Sequence, residues 1–166
     1  MLWAHLPRWA VDEDGLPAPR RDTLWNPVGL RINTDSLAPA REASGVVTVD
    51  ASAPPTECRY RATGTVSELR EVRTALPGLA LLELVLDCGE VALQVQAEGR
   101  ASRLAGVGRL SVTGRLEVVP GYEWEDFALL DTRSSWLVAE MLDDAEEDDV
   151  LVALSPLGTQ PGGPST

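Results

Sequence analysis

Residues 80–98 read ALLELVLDCGEVALQVQAE. In the second half of this stretch Val91, Leu93, Val95 and Ala97 alternate with Ala92, Gln94, Gln96 and Glu98, the period of two that marks a half-buried strand. In the first half Leu82, Leu84 and Leu86 share one face, with Leu81, Glu83, Val85 and Asp87 on the other. A tight turn at Asp87-Cys88-Gly89-Glu90 would pair Leu86 with Val91, Leu84 with Leu93 and Leu82 with Val95. Directly opposed residues share a face, so three apolar pairs land together, whereas a slip of one residue sets those leucines against Ala92, Gln94 or Gln96. Six such side chains contribute on the order of 9 to 18 kcal/mol gross when buried, before chain entropy is subtracted. The stretch predicts a hairpin and, with it, a mainly β fold.

Strands extend outward from this hairpin in both directions. Arg109 to Val118 alternates cleanly, with Leu110, Val112, Gly114, Leu116 and Val118 inward, and is entered through Gly106-Val107-Gly108. Arg59 to about Val72 places Tyr60, Ala62, Gly64 and Val66 on one face. Gly64 reads as a bend, and the loss of alternation over Ser67 to Glu71 reads as a bulge. Trp124 to Leu130 offers a last strand. Between Ser134 and Asp149 the signals conflict, because Trp136-Leu137-Val138 suits a strand while Ala139 to Asp148 holds good helix formers. A strand passing into an acidic helix is the expectation there. The first 57 residues contain seven prolines and show no sustained period. They are expected to form an irregular extension packed on the barrel through Trp3, Trp9 and Trp25, with Leu24–Ile32 and Gly45–Val49 as its best strand candidates. The chain thus divides into an extension (1–57), a β domain (58–142), an acidic-hydrophobic segment (143–154) and a Pro- and Gly-rich tail expected to be disordered (155–166).

The order of a long bent strand, a hairpin, a short glycine-containing connection, the phrase VGRLSVTGRL at 107–116 and a final strand after Pro120-Gly121 resembles the OB-fold superfamily over about residues 59–130. The phrase is similar to the fourth strand of tRNA-anticodon-type OB domains. The resemblance implies a small five-stranded barrel that binds oligonucleotides, oligosaccharides or proteins over strands 2 and 3.

Charge selects among those ligands. The net charge is −12. Eleven carboxylates fall between residues 120 and 150 against Arg133 alone, while residues 58–119 carry eight Arg and seven acids. Binding a nucleic-acid backbone calls for the opposite balance. The outward positions of the hairpin itself supply neither an aromatic platform nor a cation, which single-stranded nucleic acid requires. A less hostile surface is the stripe Arg59, Arg61, Arg109 and Arg115, on the outer faces of strands that neighbour each other in such a barrel. It would suit a phosphate-bearing ligand or the chain's own acidic segment; solvated arginines are the ordinary alternative. Tyr122, Trp124 and Phe127, interspersed with Glu123, Glu125 and Asp126, are candidate anchors for a partner protein. They would otherwise close the barrel core. Asp143–Asp149 leading into Val150–Leu154 is a second candidate for meeting a basic partner, with a final sheet strand as its alternative.

Catalysis finds little to work with. His5 is the single histidine and sits in a Trp- and Pro-flanked segment, so a nucleophile-base pair would have to use it. Gly106-Val107-Gly108 precedes a strand instead of following one and lacks the third glycine of a dinucleotide loop. The acidic run lacks the central glycine and spaced ligands of a calcium loop. No cofactor and no metal is expected, and Cys58 and Cys88 read as reduced structural thiols. No apolar run approaches a membrane span or a signal peptide, which places the protein in the cytoplasm. The expected function is a non-enzymatic interaction module that binds a protein partner with a basic surface. Single-stranded nucleic-acid binding through the arginine stripe is the second reading, and an enzyme using carboxylates that the sequence does not locate is the third.

Overall fold

The computed structural model describes residues 1–12, 16–73, 80–120, 123, 130–144 and 149–157. Among them the chain forms β1 (Leu2–Pro7), a single helical turn α1 (Arg8–Asp12), β2 (Thr23–Val28), β3 (Leu30–Pro39), β4 (Gly45–Thr48), β5 (Tyr60–Arg73), β6 (Ala80–Asp87), β7 (Ala92–Glu98), β8 (Arg109–Val118), β9 (Ser134–Asp144) and β10 (Asp149–Pro156). The strands run β5-β6-β7-β3-β8, and β8 pairs back onto β5, which closes a five-stranded barrel. This small closed barrel is consistent with an OB-like fold.

The strand that closes it is not the expected one. Residues 124–129 of the anticipated final strand lie outside the described residues, and Leu130 belongs to no strand. The fifth place is taken by β3, parallel to β7 through Arg31↔Gln94, Ile32↔Val95 and Asn33↔Gln96, and antiparallel to β8 from Leu30↔Val118 to Pro39↔Leu110. The sheet therefore crosses the boundary expected at residue 57, and the chain order of the barrel is a circular rearrangement of the anticipated one. Leu30 and Ile32 explain the fit, since both point inward and are fully buried. A strand inserted between two partners needs no long alternating run of its own when its neighbours satisfy both backbone edges.

The hairpin forms, with its partners moved along by two. Leu86 faces Leu93, Leu84 faces Val95 and Leu82 faces Ala97. The connection is Cys88 to Val91, fastened by the Cys88 N–H to the Val91 carbonyl at 2.9 Å, with Gly89 at φ 95° and its N–H on the Asp87 carboxylate. A shift of two preserves the face, so Leu82, Leu84, Leu86, Leu93 and Val95 still fill the barrel. β8 alternates as its sequence requires, every second residue being buried. β5 carries the anticipated bulge at Ser67, where the register against β6 shifts between Val66 and Glu68.

A further set of strands, β2-β9-β10-β1, is antiparallel throughout. It joins the barrel where β1 adds in parallel to β8 at Ala4↔Leu116 and His5↔Glu117, and where β2 runs through Gly29 into β3. Ala4, Leu6, Trp25, Val28, Trp136, Val138, Val152 and Leu154 belong to the same core cluster as the barrel leucines. Trp136 Nε1 donates to the Val28 carbonyl at 3.0 Å and Trp25 Nε1 to the Pro17 carbonyl at 2.7 Å, so both indoles are buried with their polar atom satisfied. The helix expected at 139–148 gives way to strand through Asp144, and strand resumes at Asp149. Pairing against Val150–Leu154 outweighs the helix propensity of Ala139–Leu142. Ser155 and Pro156, expected in the tail, complete β10; residues 158–166 lie outside the described residues.

Candidate functional site

The face of the β6–β7 hairpin turned away from the barrel interior holds a connected polar arrangement. On β6 and β7 alone it carries Glu83, Gln94 and Gln96, as the sequence suggests, but the neighbouring strands add what the hairpin lacks. The Ser67 bulge reverses the parity of β5, so Arg70 and Val72 stand opposite Glu83 and Leu81 on this outer face. From the other side β3 brings Arg31 opposite Gln94 and, across β8, opposite Glu117; Glu117 in turn lies opposite His5 of β1. A row of polar residues therefore crosses the sheet from β5 to β1. The hairpin's own outward positions hold no cation, as expected, but the face they form is not cation-free, because Arg70 and Arg31 arrive from strands outside the hairpin.

Glu83 is only 2% exposed. A carboxylate removed from water to that degree needs a charge partner and filled lone pairs. It has them: the Arg70 guanidinium, Gln94 Nε2 at 3.0 Å and the Leu130 N–H at 2.8 Å. Arg31 makes the second node. Its guanidinium reaches both oxygens of Glu123, at 2.6 and 3.2 Å, as well as Gln96 Oε1 at 3.4 Å and Glu117 at 3.7 Å. Asn33 Nδ2 holds Glu117 at 3.0 Å. Between the two nodes lies a concavity of about 400 Å³ lined by Arg31, Arg70, Glu83, Gln96 and Glu123 with Val72, Leu81 and Leu82 as its apolar wall.

Of the anticipated arginine stripe, Arg61 and Arg109 lie on the outer face of the β5–β8 pairing, where the register sets Arg61 opposite Thr113 and Arg109 opposite Thr65. Those two lie four positions apart along the strands, about 13 Å. Arg59 is tied to Asp35, the residue bulged out of β3, at 2.8 Å. Arg109 donates to the Glu42 carbonyl at 2.6 Å and to Ser44 Oγ at 3.2 Å. Arg115 stands opposite Asn33. The Glu42 carboxyl is held below the ordinary carboxylate range by N–H groups of its own residue and of Arg41, helped by the fields of Arg61 and Arg109.

The acidic segment docks elsewhere than on that stripe. Asp143 takes Arg8 at 3.1 Å and Asp149 takes His5 Nδ1 at 3.2 Å, so its described carboxylates meet β1 and α1. Tyr122, Trp124 and Phe127 lie outside the described residues. Asp131 is held below its ordinary value, chiefly by the hydrogen bonds of Arg133.

On β9, Leu137, Met141 and Leu142 are each more than a third exposed, and Leu24 of β2, opposite Leu137, is 60% exposed. The bulge at Ala139 sets Leu137, exposed Glu140 and Leu142 on one face with Leu24, and Met141 with exposed Asp143 on the other. Sequence reading missed this strip because it treated 139–148 as a helix, and missed Arg31 and Arg70 because neither falls on the hairpin that defines the face. No group of three or more metal-ligating side chains gathers among the described residues, and no described helix is long and apolar enough to cross a membrane. Compared with family models, curated proteins and solved structures, the chain matches none of them.

Proposed function

We propose that this protein is a non-enzymatic interaction module of the cytoplasm that binds a protein partner with a basic surface through the β9–β10 hairpin and the adjoining β2 strand. The observation that carries this reading is the strip Leu24, Leu137 and Leu142, apolar and exposed beside Glu140 on one face of the sheet. Exposed leucines give contact area, and the Glu140 carboxylate between them favours cationic partners and steers their approach. Single-stranded nucleic-acid binding, which membership of the tRNA-anticodon-type OB domains would suggest, draws less support. Arg59 and Arg109 are engaged internally, and the barrel face that such domains use holds its two arginines against carboxylates.

Capture of partners from extract tests the proposal when wild type is compared with the double variant Leu137→Ser, Leu142→Ser. Basic proteins retained by wild type at about 0.05 M salt should be lost with the variant and released by about 0.5 M salt, where exposed charges are screened. Equal retention by both proteins, or tight binding of a single-stranded oligonucleotide that Arg61→Ala and Arg115→Ala weaken, would replace it with the nucleic-acid reading.

A further inference from the structure

We propose that the concavity between Arg31 and Arg70 is a binding site for a small amphipathic monocarboxylate, whose carboxylate takes the place of Glu123 on the Arg31 guanidinium and whose apolar body lies against Val72, Leu81 and Leu82. The site shares no residue with the β9–β10 strip, so it stands or falls independently of the protein-binding reading.

Three features converge on this ligand. First, the Arg31–Glu123 contact is two-pronged, at 2.6 and 3.2 Å, and joins residues 92 apart in the chain. A guanidinium fork oriented in this way is matched to a planar carboxylate, and Glu123 already occupies the position that a ligand carboxylate would take. Second, space remains beside it: about 400 Å³ with Glu123 in place, in the range of small-molecule sites. Third, the wall of that space is apolar and incompletely covered. Val72 is more than a third exposed and Leu81 is half-buried.

Charge decides how the ligand enters. Arg31 and Arg70 face Glu83, Glu117 and Glu123, a balance of −1. Adding a monoanion without removing anything would make it −2 in a half-buried setting, which opposes binding. Exchange with Glu123 leaves the count unchanged, and the freed carboxylate returns to water. A dianionic phosphate would worsen the balance even after exchange. A neutral or cationic ligand would leave the fork unused. Glu123 is thus a built-in competitor, and Arg31 is the residue contested.

Sodium octanoate is the probe, read by methyl shifts of Leu81 and Leu82 in the intact protein, with octanol and octylamine as matched neutral and cationic controls. Wild type should bind octanoate saturably, and the controls should not bind. Glu123→Gln should tighten octanoate binding about tenfold by removing the competitor, since a charged hydrogen-bonded pair is worth about that factor. Arg31→Met should weaken it at least about tenfold on the same grounds. Arg31→Lys, which keeps the charge but not the fork, covers the case in which Arg31→Met fails to fold and should also bind more weakly. Absence of saturation up to about 10 mM, equal binding of octanol, or unchanged affinity in Glu123→Gln overturns the proposal.

Discussion

Tyr60 joins the barrel to the appended strands with one hydroxyl. Its side chain is 1% exposed, and its oxygen accepts the Trp3 N–H at 2.7 Å. Tyr60→Phe leaves that amide without its acceptor and should cost about 1–3 kcal/mol in denaturant unfolding. Burial also pushes the phenol from 10.0 up to about 12. The folded state thus keeps the proton longer than the unfolded state does. The associated stability is intact below pH 10 and is lost as pH rises through 12, a loss that the phenylalanine variant should not show. Cys88 behaves in parallel: burial pushes its thiol up to about 12, so the native protein should resist alkylation at pH 8 until it unfolds. Gly114 illustrates a purely steric requirement. A Cβ there would stand 1.8 Å from the Asn33 carbonyl oxygen, where β3 crosses β8, so Gly114→Ala should destabilise by about 3 kcal/mol or more, measured by thermal unfolding. The inward position of Gly114 was legible from the alternation of β8. The proximity of Asn33 was not, because nothing in the sequence of β3 announces its partner.

Single-residue bulges determine which side chains reach which face. Were Ser67 to take a regular paired position instead of bulging out, the parity set by Tyr60, Ala62 and Val66 would carry Arg70 and Val72 into the barrel interior. Deleting Ser67 should therefore close the bulge with Arg70 still opposite Glu83 and leave unfolding cooperative, as in Ser67→Ala, whereas deleting both Ser67 and Glu68 would turn Arg70 in among the leucines and should abolish cooperative folding. The irregularity over Ser67–Glu71 was visible in the sequence; its consequence for Arg70 depended on knowing that Glu83 lay opposite. Breaking that pair in place, with Arg70→Ala, leaves a carboxylate that is 2% exposed and should cost about 3 kcal/mol in chemical denaturation. Elements with strict alternation, β7 and β8, could be read from their own residues. β3 was legible only at its start, inside the candidate Leu24–Ile32 that also covers β2, because its remainder is interrupted by a bulge at Asp35 and ends in proline. Its stability comes from two neighbours. β9 was obscured by helix-forming residues that cross-strand pairing overrules.

At the scale of the molecule, the charge division seen in the sequence is bridged: of the described carboxylates between residues 120 and 150, Asp143 and Asp149 meet Arg8 and His5, Asp131 meets Arg133 and Glu123 meets Arg31 of the barrel, whose Arg59 and Arg70 meet Asp35 and Glu83. What composition alone withheld is that the N-terminal third belongs to the barrel and delivers Arg31 to the β6–β7 face. The placement of β3 between β7 and β8 underlies both the closed barrel and the Arg31 site. Cross-strand nuclear Overhauser contacts test it most directly. Ile32 should show backbone contacts to Val95 on one side and Leu116 on the other. Contacts of Val95 and Leu116 with residues 124–130 in place of Ile32 would contradict this account.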